Sequence, residues 1–249
     1  MKVSIIVPIL NSHEVVRRQV LHFERMNLPD DVEIIMVDDG STPPIEVNTI
    51  LKNFKLIHTH DYRAWTWPLA RNRGAKEAQG DYFIMADLDH IISRGFIDCV
   101  RNFNFDHIRI NREFAVLDEN GNLTQDHEIL KEYGITQERL DDKGVSMPPH
   151  RNQFAIHKDL YWKLGGFRED RIGLPYPQRE DGDFNKKWQE LYTKGEIKDF
   201  DDVVGYEHRP ILYMFPNGKY CGDVDYNPFN LFHSLTRKTE KNPSWKTSQ

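Results

Sequence analysis

Asp87-Leu88-Asp89-His90 follow directly on an apolar run, Tyr82-Phe83-Ile84-Met85-Ala86. Two carboxylates at a spacing of two, at the carboxyl end of a buried strand, suit a hard divalent cation. Mg²⁺ and Mn²⁺ are commonly held by one or two carboxylates, with phosphate oxygens and waters completing the shell. A diphosphate is then the expected source of the remaining ligands. Alternate residues on an extended segment point opposite ways, so Asp87 and Asp89 are expected to have different tasks. Two further acidic groups stand at similar junctions. Asp38-Asp39 close the apolar run Val32 to Val37, and Glu180-Asp181-Gly182-Asp183 open an amphipathic helix. Acids at those places also suit turn capping and the helix macrodipole.

The elements that must position these groups are legible in outline. Val3 to Ile9 is a β-branched run typical of a strand covered on both faces. Asn11 and Glu14 have capping-box spacing, and Val16, Val20 and Phe23 continue at helical period to about Met26. Val32 to Val37 and Phe54 to Thr59 read as the next strands. Pro68 opens a helix through Ala78, and Tyr82 to Ala86 is the fourth strand. This order implies an α/β fold with a mainly parallel central sheet flanked by helices. Ligands of such sheets bind beyond the carboxyl ends of the strands, where Asn11, Asp38, Asp39, Asp87 and Asp89 all fall. Downstream, Phe114 to Leu117 and Leu123 flank an Asn-Gly turn and predict a hairpin. Gln153 to Ile156 predicts a strand, Lys158 to Leu164 a helix ended by Gly165-Gly166, and Asp181 to Thr193 a helix with Phe184, Trp188 and Leu191 on one face. Val203 to Tyr206 predicts a further short strand. Residues 125–149 are polar and read as an insertion, helical or lid-like.

The chain of 249 residues, 39% apolar and 12% aromatic, can bury a sizeable core. Its net charge of −6 gives no sign of a nucleic-acid surface. Two cysteines, Cys99 and Cys221, form neither a disulfide framework nor a metal pattern, so a reducing, cytoplasmic setting is expected. No run reaches the ~18 apolar residues of a membrane span, although peripheral membrane contact stays open.

Val3-Ser4-Ile5-Ile6-Val7-Pro8, Val37-Asp38-Asp39-Gly40-Ser41, Ala70-Arg71-Asn72-Arg73-Gly74, Asp87-Leu88-Asp89 and Glu180-Asp181-Gly182-Asp183-Phe184, in that order, resemble the inverting glycosyltransferase family 2. The resemblance covers residues 1–100 well and 150–210 in outline. It implies the GT-A fold over residues 1–225, with a nucleotide-sugar half (1–100), an acceptor half (101–225) and a tail from 226. It implies transfer of a sugar from a nucleotide-diphosphate donor, commonly UDP-linked, to a hydroxyl acceptor, with Mn²⁺ or Mg²⁺ as cofactor. By the same resemblance Pro8, Asn11, Asp39, Arg71, Asp87 and Gly166 border the nucleotide sugar. Asp89 and His208 ligate the metal, with His90 ranked behind His208. Asp181 is the general base and Glu180 hydrogen-bonds the acceptor. A retaining GT-A transferase and a non-catalytic nucleotide-sugar-binding protein are the alternatives.

Two other classes fail on local sequence. Pro8-Ile9-Leu10-Asn11-Ser12-His13 lacks the glycine-rich loop of nucleotidylyltransferases, and no G-x-G-x-x-G follows the first strand for a dinucleotide enzyme.

Overall fold

The computed structural model describes residues 1–63, 66–170, 172 and 180–216. The first strand, β1 (Val3–Ile9), is buried along its whole length, as its apolar run requires. Helix α1 (His13–Arg25) returns over the sheet, and β2 (Val32–Asp38) and β3 (Phe54–His58) extend the sheet to one side. Helix α2 (Trp67–Glu77) crosses back, so that β4 (Tyr82–Met85) lies on the other side of β1. The chain continues through β5 (His90–Ile91), α3 (Arg94–Asn102), β6 (His107–Arg109), β7 (Asn111–Phe114), and a hairpin of β8 (Val116–Leu117) and β9 (Leu123–Thr124). Two short helices follow, α4 (His127–Glu132) and α5 (Gln137–Lys143), then β10 (Ser146–Met147), β11 (Phe154–His157), α6 (Lys158–Lys163), α7 (Glu180–Thr193), α8 (Phe200–Val203) and β12 (Ile211–Met214).

The main sheet runs β3-β2-β1-β4-β11-β6. The first four strands are parallel, and β11 is antiparallel to both its neighbours. Strand order reverses between β1 and β4, which opens a crevice at their carboxyl ends. A second sheet runs β10-β7-β12-β5. One apolar core packs α1 and α3 on one face of the main sheet, and a second packs α2, α6 and α7 on the other. Cys99 lies in the first core, where burial pushes its thiol up to about 12.

Close packing of α2 explains Gly74. A Cβ there would stand 2.6 Å from Ile6 Cγ2. The helix therefore rides directly on β1, and the side chains one turn earlier are pressed towards the strand ends.

Two expectations are revised and one open reading is resolved. Asn11 and Glu14 form no capping box. Asn11 takes a left-handed backbone (φ 51) and its carboxamide accepts from Thr42 N at 2.8 Å, while Glu14 pairs with Arg17 and Arg18. Val203 to Tyr206 is not a strand. Asp199 and Asp202 form a capping box that turns residues 200–203 into α8, and Tyr206–His208 is a 3-10 turn. The insertion at 125–149 forms two helices, N-capped by Asp126 and Thr136, before β10. The tail from 226, Trp65 and Cys221 lie outside the described residues.

Candidate active site

The carboxyl end of β4 delivers Asp87, Asp89 and His90 to the crevice. Ligand atoms of all three lie within 4.8 Å of one another, and this is the metal-type cluster among the described residues. The backbone beneath is clamped. Gln19, fully buried on α1, donates both amide protons at 2.7 Å, one to the carbonyl of Leu88 and one to that of His90. Phe215 N donates to the carbonyl of Asp89 at 2.8 Å. The peptide that carries Asp89 is thus fixed from α1 and from the end of β12.

Each acid has a distinct environment. Asp87 accepts from Arg71 Nη2 through one oxygen, and from Gln153 Nε2 (2.8 Å) and Asn152 Nδ2 (3.3 Å) through the other. Asp89 is buried, and its Oδ1 lies 2.7 Å from His90 Nδ1. His90 is also buried, and its Nε2 makes no hydrogen bond among the described residues. A buried imidazole with that shortfall is costly unless a ligand compensates it. Carboxylate oxygens beside an imidazole nitrogen are a donor set that suits Mn²⁺ or Mg²⁺ with phosphate oxygens. The residues present therefore fit the cation that the sequence implied, with His90 in the cluster. His208 is not brought to it: the ring is 63% exposed and 3.6 Å from Glu207.

Arg71 is 1% exposed, stacked between Trp67 (5.8 Å) and Phe167 (5.0 Å), with Nε and Nη1 lacking hydrogen bonds. A guanidinium buried between rings, with one edge committed to Asp87, is a rigid cation at the crevice. Arg73 points outward and is exposed.

At the end of β2, Asp38 has a structural task. It accepts from Ser41 N (2.9 Å), Ile45 N (3.0 Å) and His58 Nδ1 (3.0 Å), which folds the following loop. Asp39, next to it and buried, accepts from Thr66 Oγ1 at 2.7 Å. Pro8 and Asn11 lie at the end of β1, and Asn11 N donates to Ser41 Oγ at 2.7 Å, so the ends of β1 and β2 form one rim. Gly166 is buried with φ 63, and a Cβ there would stand 2.7 Å from Asn72 Oδ1. Its need for glycine is explained by Asn72.

Asp181 stands half-buried in the first turn of α7, its Oδ1 accepting from Gly182 N at 2.7 Å. Glu180 opens the same helix, with its side chain outside the described residues. His150 lies on the loop that enters β11. Burial draws its pKa down, and the charges of Asp87, Arg112, His90 and Asp181 all act on it. Asp87 and Asp181 thus both lie within electrostatic reach of His150.

Sequence reading missed Gln19, Asn72, His150, Asn152 and Gln153 as site residues. Gln19 left a trace: it falls between Val16 and Phe23 on the apolar face of α1, where a polar side chain needs a buried partner. Asn72 stood in the motif Ala70-Arg71-Asn72-Arg73-Gly74 without a task, and His150, Asn152 and Gln153 gave no signal, because the antiparallel pairing of β11 sets the turn that carries them.

This sheet order, with acids at the ends of β2 and β4, is that of a GT-A fold. The profile described as "Glycosyl transferase family 2" matches residues 4–163, more than half of the chain, and the chain belongs to that family. Comparison with curated proteins gives no match. Among solved structures it is similar to S. aureus TarS 1-349, at 15% identity and TM-score 0.53, over 86% of this chain and 60% of that one. It is also similar to the mannosyltransferase PcManGT from Pyrobaculum calidifontis, solved in complex with GDP-Man and Mn2+, at 15% identity and TM-score 0.51, over 88% and 58%. The chain thus spans less than two thirds of either structure. No helix among the described residues is long and apolar enough to cross a membrane.

Proposed function

We propose that this protein transfers a sugar from a nucleotide-diphosphate donor, a UDP-sugar by preference, to a hydroxyl acceptor with inversion at the anomeric carbon. The observation that carries this reading is the Asp87, Asp89 and His90 cluster at the carboxyl end of β4. Family membership supports the reaction class, and the Mn2+ recorded in the mannosyltransferase supports the choice of cation.

Each residue then has a task. Asp39, Pro8 and Asn11 border the base, for which an ionised carboxylate is an acceptor matched to an imide N–H. Asp89 and His90 hold Mn²⁺ or Mg²⁺, which when bound neutralises charge building on the departing diphosphate. Asp87, oriented by Arg71, Asn152 and Gln153, faces the ribose and the metal's waters. Asp181 takes the proton from the acceptor hydroxyl as that oxygen bonds to the anomeric carbon. The bond from that carbon to the diphosphate oxygen breaks on the opposite face, and its electron pair leaves with the nucleoside diphosphate. Glu180 is assigned to the acceptor and Gly166 to the wall beside the donor. His208 has no place in the ligand set in this arrangement.

The test is Asp181→Asn in a transfer assay with UDP-sugars and Mn²⁺, with product configuration read by NMR. The variant is expected to bind donor normally and to lose turnover by about 10²–10⁴-fold. Near-normal turnover would place the base elsewhere, and a retained anomeric configuration would replace the single displacement.

A further inference from the structure

Asn72 makes every hydrogen bond its side chain can make in this position. Its amide donates to Phe167 O (2.8 Å) and to Glu169 Oε1 (2.7 Å), and its carbonyl accepts from Tyr161 OH (2.6 Å) and Phe167 N (3.0 Å). It is 4% exposed. The segment it grips, 165–169, fits only because Gly166 has no Cβ to meet Asn72 Oδ1.

That segment touches both Arg71 and the start of α7. On the cation side, the Phe167 ring lies 5.0 Å from the Arg71 guanidinium, which holds Asp87. On the other side, Arg168 Nη1 donates to Asp183 Oδ2 at 2.9 Å, two residues beyond Asp181. Phe167 also stacks on Phe184 of α7 at 4.7 Å, and Lys187 Nζ of α7 donates to Leu164 O at 2.8 Å. One carboxamide, on the helix that carries Arg71, thereby anchors the strap that fixes the start of α7.

We propose that Asn72 is a positioning residue that sets both halves of the site together: the Arg71–Asp87 pair through Phe167, and Asp181 through Arg168 and Asp183. This rests on the reading of those acids as cation-side and base groups. A buried network with all its members satisfied is suited to the task, since it has one low-energy arrangement. Residues that orient ligands in this way commonly change metal affinity or activity by about 10–100-fold when replaced.

The experiment uses the full chain and compares Asn72→Ala, Phe167→Leu and Arg168→Ala. Calorimetry with UDP reads the Mn²⁺ concentration for half-saturation, a transfer assay reads kcat, and thermal unfolding monitors the fold. Phe167→Leu is expected to raise the Mn²⁺ requirement, and Arg168→Ala to lower kcat at an unchanged Mn²⁺ requirement. Asn72→Ala is expected to do both, each by about tenfold or more. Tyr161→Phe deletes a single hydrogen bond to Asn72 and is expected to give the same two shifts, smaller; it decides the matter if Asn72→Ala does not fold. Lower unfolding temperatures with wild-type Mn²⁺ requirement and kcat would reduce Asn72 to a packing residue and overturn the proposal. A wild type whose UDP binding ignores Mn²⁺ would instead refute the cation reading itself, and the kcat of Asn72→Ala would still decide the base-side coupling.

Discussion

Arg71→Met removes a charge from the interior while leaving most of the aliphatic volume in place. Arg71 is 1% exposed and the Asp87 side chain 17%. Removing one partner of a buried ion pair costs about 3–5 kcal/mol, mainly because the other charge is left uncompensated. Here Asp87 keeps two amide donors, from Gln153 and Asn152, and some contact with water. The expected loss is therefore below that range, roughly 2–3 kcal/mol, with a small packing term because Met replaces the stem. Asp87→Asn leaves the Arg71 cation buried between two rings and should cost a similar amount. In the double variant neither charge remains, so its loss should fall short of the sum by about 1–3 kcal/mol. Urea unfolding of the four proteins measures this coupling. Additivity within about 0.5 kcal/mol would show that the two groups do not act as a pair and would remove the basis for treating Arg71 as the orienter of Asp87.

Two further outcomes follow from packing and titration. Gly74→Ala puts a methyl 2.6 Å from Ile6 Cγ2 and 3.1 Å from Val37 Cγ2; overpacking of about 1–3 kcal/mol outweighs the ~1 kcal/mol gain in helix propensity, so urea unfolding should show a net loss. Unchanged or higher stability would mean that α2 can lift off the sheet freely. His107 is buried and stacked on Trp188 at 4.0 Å, and burial draws its pKa below the usual 6.5, partly opposed by Asp199. The unfolded ring takes up a proton near 6.5 and the folded ring resists it. Its contribution is thus fully present above about pH 6.5 and lost as pH falls below that value. Stability of His107→Gln should fall less steeply than wild type from pH 6.5 downward, and an equal slope would show that His107 titrates freely in the fold.

The amino-terminal half of the fold was readable because its signals were local. The runs Val3–Ile9 and Val32–Asp38 are mostly apolar, as buried parallel strands are, and Pro68 marked the start of α2. The acids at the strand ends followed from that placement. What failed were positions where two local preferences compete. Val203-Val204 favour a strand, but the Asp199–Asp202 capping box starts a helix four residues earlier and prevails. Asn11 and Glu14 have capping spacing, but the left-handed turn at Asn11 aims its side chain at the β2 loop instead. The family resemblance and an expected strand over Val203 to Tyr206 point to His208 as a ligand ahead of His90. Without that strand it sits on an exposed turn, while His90 enters the cluster from β5. His150, Asn152 and Gln153 reach Asp87 and its surroundings only because β11 pairs antiparallel with β4, a long-range choice invisible in a single sequence.

The central claim is that Asp89 and His90 hold a divalent cation jointly with a nucleoside diphosphate. Electron paramagnetic resonance of Mn²⁺ titrated into the protein with and without UDP tests it most directly. The account predicts that UDP tightens Mn²⁺ binding, that nitrogen coupling is present in the wild-type signal and absent in His90→Gln, and that Asp89→Asn loses the UDP-dependent site. Mn²⁺ binding that is indifferent to UDP, or unchanged in Asp89→Asn, would contradict it.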